Sequence, residues 1–186
     1  MKYNQILTLF ITILLLSCSK NKSSYVFELL DPTETGIDFN NEIIETTDFY
    51  PLNFIYIYNG AGVGVIDVNN DGLQDIFFAG NKVGSKLYLN KGNLKFMDIT
   101  DSAGLNDDYW GTGVSIVDIN ADGFQDIYVS VADKDGKEKS KNRLYINNGD
   151  TTFSEKADAY GLADDGYSTQ AVFFDFDNDQ DLDAYL

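Results

Sequence analysis

The sequence predicts an all-β protein, a β-propeller of which this chain contains the N-terminal part, about two and a half blades. An acidic motif of nine residues recurs three times, and its copies start at Asp67, Asp118 and Asp175. Short apolar runs rich in Val and Ile flank each copy and are bounded by Asn, Asp and Gly. Helical periodicity is absent. Four short strands in about 50 residues form the unit of a propeller blade.

The repeated unit has further elements in register with the motif. A strand pattern with the letters LYLN or LYIN recurs at Leu87–Asn90 and Leu144–Asn147, and each copy leads into a tight turn. Gly92 and Gly149 in these turns are expected to take positive φ. A Phe that is followed eight residues later by Gly-Leu completes the unit, at Phe96 and again at Phe153. A loop insertion around residues 133–142 accounts for the longer second unit.

Within a unit the predicted order is four strands. The first strand precedes the acidic motif, at Gly62–Val68 and Gly113–Ile119. The second follows the motif, at Ile76–Ala79 and Ile127–Val131. The third contains the LYLN or LYIN pattern, and the fourth begins near the Phe that recurs in each unit. This order predicts one antiparallel sheet for each repeat.

The two ends of the repeat region are predicted to hold parts of further blades. Phe27 is followed nine residues later by Gly36-Ile37, which predicts a leading outer strand. Residues 184–186 match the start of the strand that follows an acidic motif. A closed propeller needs at least four blades. The chain is therefore expected to be the N-terminal portion of a longer protein. The alternative is a short protein that assembles with copies of itself.

The N-terminus predicts export and attachment to a membrane. Lys2 precedes a stretch of 11 residues, 6–16, that is apolar apart from Thr8 and Thr12 and is shorter than the ~20 that a spanning helix needs. Residues 1–17 are therefore predicted to be a signal peptide. The sequence Leu-Leu-Ser-Cys that ends at Cys18 resembles a bacterial lipobox, which implies cleavage before Cys18 and its lipidation. The alternative is a free Cys at the end of an ordinary signal peptide.

The resemblance to a lipobox also divides the chain and implies a location. Residues 18–24 would form a polar tether, and residues 25–186 the repeat region. The implied location is the bacterial cell envelope, with the protein held to the membrane through its lipid anchor. Ser19 rather than Asp follows the cysteine, which by the known sorting preference favours the outer membrane.

The composition excludes several classes of function. The 186 residues include 13 Lys and Arg against 30 Asp and Glu, which gives a net charge of −17. This charge opposes binding to nucleic acid. The chain has no His and one Cys, which excludes a Ser-His-Asp triad, an ordinary zinc site and an internal disulfide. We therefore expect no catalytic residues here and a cation as the natural small partner.

The acidic motif predicts three Ca²⁺ sites. Its pattern, D-x-[DN]-x-D-[GQ]-x-x-D, places oxygen-bearing side chains at positions one, three, five and nine of a tight loop. A hard cation that takes six to eight oxygen ligands suits this donor set. Position six is Gly in the first two loops, where it permits a sharp turn, and Gln180 in the third. The predicted metal ligands are Asp67, Asn69, Asp71, Asp75, Asp118, Asn120, Asp122, Asp126, Asp175, Asp177, Asp179 and Asp183.

Other acidic loops fit less well. An EF-hand requires an acidic residue at position twelve, where this chain has Phe78, Val129 and Leu186. A single Asp-rich turn could arise by chance, but three copies in register, each followed by an apolar strand, favour a metal loop. The third loop is expected to be the weakest, because Gln180 must adopt a strained backbone conformation.

These motifs resemble the FG-GAP or VCBS repeat family. The loops are similar to the calcium loops of integrin α-subunit propellers. The segments 35–39 (TGIDF) and 58–63 (YNGAGV) resemble the N-terminus of bacterial relatives of cartilage acidic protein. The resemblance covers roughly residues 27–186 and implies a propeller with Ca²⁺ in the blade loops. It does not transfer an activity.

The function predicted from these features is binding, cell adhesion or scaffolding, with an unknown protein or glycan as ligand. The alternative is the propeller portion of a larger secreted or surface enzyme, or of an uptake complex. The aromatic residues of 54–58, with Tyr109 and Trp110, could form a platform that binds sugar. Packing of a strand with alternating residues is the expected explanation of this pattern.

Overall fold

The computed structural model describes residues 26–132 and 141–186. The predicted signal peptide, Cys18 and the tether over residues 18–24 lie outside the described residues, as does most of the predicted insertion. The chain divides into one unit over Met1–Leu30 and a second over Asp31–Leu186, which contains the sheets. Within the described residues, no helix has the length and apolar character needed to span a membrane.

Within residues 26–132 and 141–186, ten strands form three antiparallel sheets, each built in the order of the chain. The first sheet contains β1 (Val63–Ile66), β2 (Asp75–Phe78), β3 (Lys86–Asn90) and β4 (Phe96–Asp98). The second sheet contains β5 (Gly111–Val117), β6 (Asp126–Val131), β7 (Arg143–Asn147) and β8 (Phe153–Glu155). The third sheet contains β9 (Val172–Phe174) and β10 (Asp183–Tyr185). The structure thus confirms the prediction: two four-stranded blades and half of a third, a partial β-propeller.

The turns between the third and fourth strands form as predicted. Gly92 and Gly149 take φ values of 84° and 77°. In the first turn the Lys91 N–H donates to the Lys95 carbonyl at 2.7 Å, which closes the hairpin between β3 and β4. Glycine has no Cβ to oppose positive φ, so these two positions fix where each hairpin turns.

The described part of the chain contains three single-turn helices, whereas the sequence showed no helical periodicity. They are α1 (Pro32–Thr35), α2 (Thr100–Ala103) and α3 (Ala157–Tyr160). An acidic side chain begins each turn by accepting a backbone N–H two residues ahead. Asp31 accepts from Thr33 at 2.8 Å, and Glu155 accepts from Ala157 at 2.9 Å. A helix of four residues is too short to show a hydrophobic period, which is why the sequence pattern did not reveal it.

The leading strand predicted near Phe27 is absent from the described residues: the chain from 26 to 31 forms no strand. Gly36, which follows α1, corresponds to the glycine that recurs in each repeat, at Gly104 and Gly161. Its φ is 81°, as in the glycines that end α2 and α3. A Cβ on Gly36 would lie 2.5 Å from the Phe96 carbonyl oxygen in β4. The similarity of Gly36-Ile37 to the end of each repeat therefore reflects a helical turn that packs on the first sheet, and not a strand.

The expected strand over residues 54–58 is also absent, because this segment forms consecutive turns. The N–H of Phe54 donates to the Tyr50 carbonyl at 3.0 Å, and that of Ile57 to the Phe54 carbonyl at 3.2 Å. Phe54 and Ile57 are buried, while the residues between them are exposed. Burial at every third residue fits turns, and the explanation by alternating strand packing is wrong.

The main core lies between the first and second sheets, where their inner strands meet. Its fully buried members come from both sheets and include Ile66, Phe77, Leu87, Ile127 and Val129. A smaller cluster joins Phe54 and Ile57 to Trp110. Burial of this apolar surface is what holds neighbouring blades together.

Two glycines at corresponding repeat positions allow the innermost strands to approach each other. A Cβ on Gly62 would lie 2.5 Å from the backbone nitrogen of Val114. A Cβ on Gly113 would lie 2.3 Å from the carbonyl oxygen of Thr169. Both distances are far below van der Waals contact, so a larger residue must push the blades apart.

We expect Gly113→Ala to lower the free energy of unfolding by about 2 kcal/mol, because the new methyl group meets backbone that cannot rotate away. Gly84→Ala is the matched control, since a Cβ on Gly84 would meet no atom within 4 Å. Urea denaturation of both variants measures the difference. Equal stability of the two variants would contradict the packing described here.

Candidate metal centre

The three acidic loops occupy the same place in the three sheets. Each loop joins the innermost strand to the second strand, and its ninth residue is the first residue of that second strand: Asp75 in β2, Asp126 in β6 and Asp183 in β10. All predicted ligands therefore lie at the ends where the innermost strands finish. The acidic motifs that recur in the sequence therefore occupy equivalent positions in the three sheets.

The Asp at position one closes each loop. In the first loop, Asp67 accepts the N–H of Asp71 at 3.1 Å and that of Gly72 at 2.9 Å. Asp118 makes the same pair of bonds at 3.1 and 2.9 Å, and Asp175 makes it at 3.2 and 3.2 Å. The recurring bonds show that this carboxylate fixes the turn in all three loops.

Positions three and five pair with each other in the first two loops. The Asn69 side-chain amide donates to Asp71 at 3.1 Å, and that of Asn120 donates to Asp122 at 2.8 Å. Their amide oxygens accept the N–H of position five, at 3.3 Å in the first loop and 3.1 Å in the second. In the third loop Asp177 replaces this Asn, so a carboxylate stands where the amide donor was.

The Asp at position nine is buried in the two complete blades. Asp75 accepts the N–H of Val68 at 2.9 Å and that of Asn90 at 2.6 Å, which ties the loop to β3. Asp126 accepts corresponding N–H groups from Ile119 at 3.0 Å and Asn147 at 2.8 Å. Sequence reasoning assigned both only to the metal, because their backbone partners lie up to 21 residues away.

Burial raises the pKa of both carboxyl groups above the ordinary value. For Asp75 the N–H bonds from Asn90 and Val68 act in the opposite direction, and the charges of Asp71 and Asp67 raise the pKa further. The same causes act on Asp126. A bound cation would favour the charged form of each group and offset the cost of its burial.

The third loop brings three carboxylates together. Oxygens of Asp175, Asp177 and Asp183 lie within 4.8 Å of one another. Among the described residues, no other three acidic groups come this close, and the first two loops offer an amide oxygen at position three instead. Carboxylate and amide oxygens are the ligands that Ca²⁺ takes in proteins, so the donor set of all three loops fits that ion.

The backbone of the loops is left-handed at two positions. At position six, φ is 83° in Gly72, 89° in Gly123 and 78° in Gln180, so the glutamine adopts the expected strained conformation. At position four, φ is 55° in Asn70 and Ala121. Sequence reasoning missed this second turn, and the Asn at position four of the first and third loops was the available signal.

The first two loops also contact each other directly. The side-chain amide of Asn70 donates to the Gly123 carbonyl at 2.9 Å, and Gln125 accepts the N–H of Asp67 at 2.9 Å. Asn147 donates to the Val68 carbonyl at 2.8 Å. These hydrogen bonds therefore fix the first two acidic loops relative to each other.

Comparison with known proteins agrees with this arrangement. A family model for the FG-GAP-like repeat matches residues 67–129 and 130–186, so each match begins within a blade and together they span most of the chain. The chain belongs to the FG-GAP-like repeat family. FG-GAP repeats are generally calcium-binding in integrins, and the match indicates an integrin-like repeat module.

Three curated relatives of this FG-GAP repeat protein share one name, cartilage acidic protein 1. The protein from Xenopus tropicalis is 32% identical over 163 residues, which is 85% of this chain and 24% of the relative. Those from Mus musculus and Homo sapiens are each 31% identical, over 68% of this chain and 19% of the relative. The chain thus spans a quarter or less of the length of these relatives.

Proposed function

We propose that this chain is a Ca²⁺-stabilised propeller module that serves binding or adhesion outside the cytoplasm. The observation that carries the proposal is the acidic loop at the same place in three successive sheets, with the same closing hydrogen bonds from its first Asp. Family membership supports the extracellular part of the proposal.

The ions would be held by the side-chain oxygens at positions one, three, five and nine of each loop. These groups are Asp67, Asn69, Asp71 and Asp75, then Asp118, Asn120, Asp122 and Asp126, then Asp175, Asp177, Asp179 and Asp183. Bound Ca²⁺ would supply positive charge to a chain with a net charge of −17 and link the strands on either side of each loop. Its role would be structural.

Attachment to a membrane is the second part of the proposal. A lipid on Cys18 would hold the repeat module at the outer membrane of a bacterial cell envelope. The lipobox-like sequence before Cys18 supports it. Expression in a bacterial host should give a protein that partitions into detergent, and Cys18→Ala should move it to the aqueous phase.

The number of bound ions tests the calcium proposal. We expect protein that has been stripped with chelator to bind three Ca²⁺ per chain in a calorimetric titration. Asp122→Ala should reduce this number to two, because it removes a proposed ligand of the second loop. Asp122 is exposed, so its loss should leave the fold intact. Asp165→Ala, an exposed acid outside the loops, should still bind three. Folded protein that binds no Ca²⁺ would refute the proposal.

A further inference from the structure

A cavity opens at the opposite end of the innermost strands from the acidic loops. Its volume is about 830 Å³, within the usual range for small-molecule sites. Its lining includes Gly60 before β1, Thr112 in β5 and Thr169 before β9. These three lining residues therefore lie before or at the start of the three innermost strands, whereas the acidic loops follow those strands.

The floor of the cavity is formed by the buried rings of Phe54 and Trp110, which belong to an aromatic cluster with Phe49. The ring of Phe54 meets that of Trp110 edge-on, with centroids 5.0 Å apart and an interplanar angle of 90°. Phe49 contacts both rings, at 5.8 Å from Phe54 and 5.5 Å from Trp110. Phe54 and Trp110 are buried, so the floor is formed before any ligand arrives.

The walls carry aromatic rings that are available for contact. Tyr56 and Tyr167 line the cavity and are 54% and 66% exposed, which is high for side chains of this size. Tyr56 also packs edge-on against Phe54, with centroids 6.2 Å apart. Two tyrosine rings thus stand in solvent beside a buried aromatic floor.

The wall that carries Tyr167 is held in place by backbone contacts. Thr112 Oγ1 donates to the Ser168 carbonyl at 2.7 Å, and the Ser168 N–H donates to the Val131 carbonyl at 3.2 Å. The side chain of Asn142 donates to Ser168 Oγ at 2.9 Å. Tyr167 and Thr169 on either side of Ser168 are therefore fixed relative to the second sheet.

The polar groups in the cavity are uncharged. None of the described residues that line it is acidic or basic. Asn59, Thr169 and the two tyrosine hydroxyls offer neutral donors and acceptors at its exposed rim. A ligand with an apolar face and many hydroxyl groups suits aromatic rings combined with neutral polar groups, whereas the net charge of −17 opposes an anion.

We propose that this cavity binds a neutral oligosaccharide, whose sugar rings lie on Tyr56 and Tyr167 and whose hydroxyls bond to the polar rim. Trp110 is the one tryptophan of the chain and lies in the floor. Its fluorescence is therefore a direct reporter of occupancy. The proposal does not depend on Ca²⁺, which acts at the other end of the strands.

The test titrates the full chain with cellohexaose, maltohexaose, xylohexaose and chitohexaose, and with a heparin hexasaccharide as the anionic comparison. We expect a saturable change in Trp110 emission with at least one neutral probe and none with heparin. Tyr56→Ala and Tyr167→Ala should each weaken binding about tenfold, since both residues are exposed and their loss leaves the core intact. Tyr160→Ala, an exposed tyrosine on α3, should bind as the unaltered chain does.

Three results would overturn the proposal. They are no saturable change with any neutral probe on folded protein, binding of the heparin probe alone, and equal weakening by Tyr160→Ala. Each titration is run with Ca²⁺ and with chelator. Failure of the calcium proposal would leave the oligosaccharide titration unchanged, and failure of this proposal would leave the three bound ions unchanged, so the two are distinguished.

Discussion

Asp126→Ala is expected to lower the free energy of unfolding of the calcium-free protein by about 3 kcal/mol. The side chain is fully buried and accepts the N–H groups of Ile119 at 3.0 Å and Asn147 at 2.8 Å. Alanine leaves both donors without a partner, and each such loss costs about 1–3 kcal/mol. Removal of a buried charge offsets part of this cost.

The matched control is Asp122→Ala in the same loop. Asp122 is exposed, and its Oδ1 accepts the exposed N–H of Phe124 at 2.8 Å. We expect its loss to change the free energy of unfolding by less than about 1 kcal/mol. Urea denaturation in the presence of chelator measures both variants. If the two variants lost the same stability, Asp126 would have no structural role beyond that of a metal ligand.

Addition of Ca²⁺ is expected to raise the melting temperature by roughly 15 °C or more. Each site contributes about 2.7 kcal/mol when free Ca²⁺ is a hundred times its dissociation constant. For a chain of this size, 1 kcal/mol shifts the melting temperature by about 2–4 °C. Circular dichroism melts in Ca²⁺ and in chelator measure the shift, and Asp71→Ala should reduce it by about one third.

Two controls separate ion binding from general screening of negative charge. NaCl at the same ionic strength should produce a smaller shift, because it only screens the net charge of −17. Mg²⁺ should also act weakly, since it demands a compact octahedral site. Equal shifts with NaCl and Ca²⁺ would mean that the loops hold no specific ion.

The strands were predictable because their signals are local. Each acidic loop carries its own ligands within nine residues, and Gly92 and Gly149 mark the hairpins by their freedom to take positive φ. The blade order followed once the repeats were aligned. The twelve metal ligands are likewise assigned from the sequence of each loop alone, and they stay a prediction.

The features that the sequence did not predict depend on residues that are distant along the chain. The buried bonds of Asp75 and Asp126 reach third strands that lie 15 and 21 residues away. The segment around Phe54 has the alternation of a strand, yet it folds into turns because Trp110 of the next blade buries Phe54 and not its neighbours. Such outcomes are set by tertiary packing, which overrides local propensity.

The two candidate sites divide the propeller between its two ends. The acidic loops lie where the innermost strands finish, and the aromatic cavity lies where the same strands begin. This arrangement separates the proposed structural ions from the proposed ligand. Variants at one end can therefore be tested without altering the chemistry at the other.

A crystal structure of the full chain grown with Ca²⁺ tests the central claim most directly. The account predicts a strong density peak in each of the three loops, with Asp and Asn oxygens at about 2.3–2.6 Å. The peak in the first loop should contact the side chains of Asp67, Asn69, Asp71 and Asp75. Loops that remain empty at saturating Ca²⁺, with their backbone unchanged, would contradict the claim that these repeats are calcium sites.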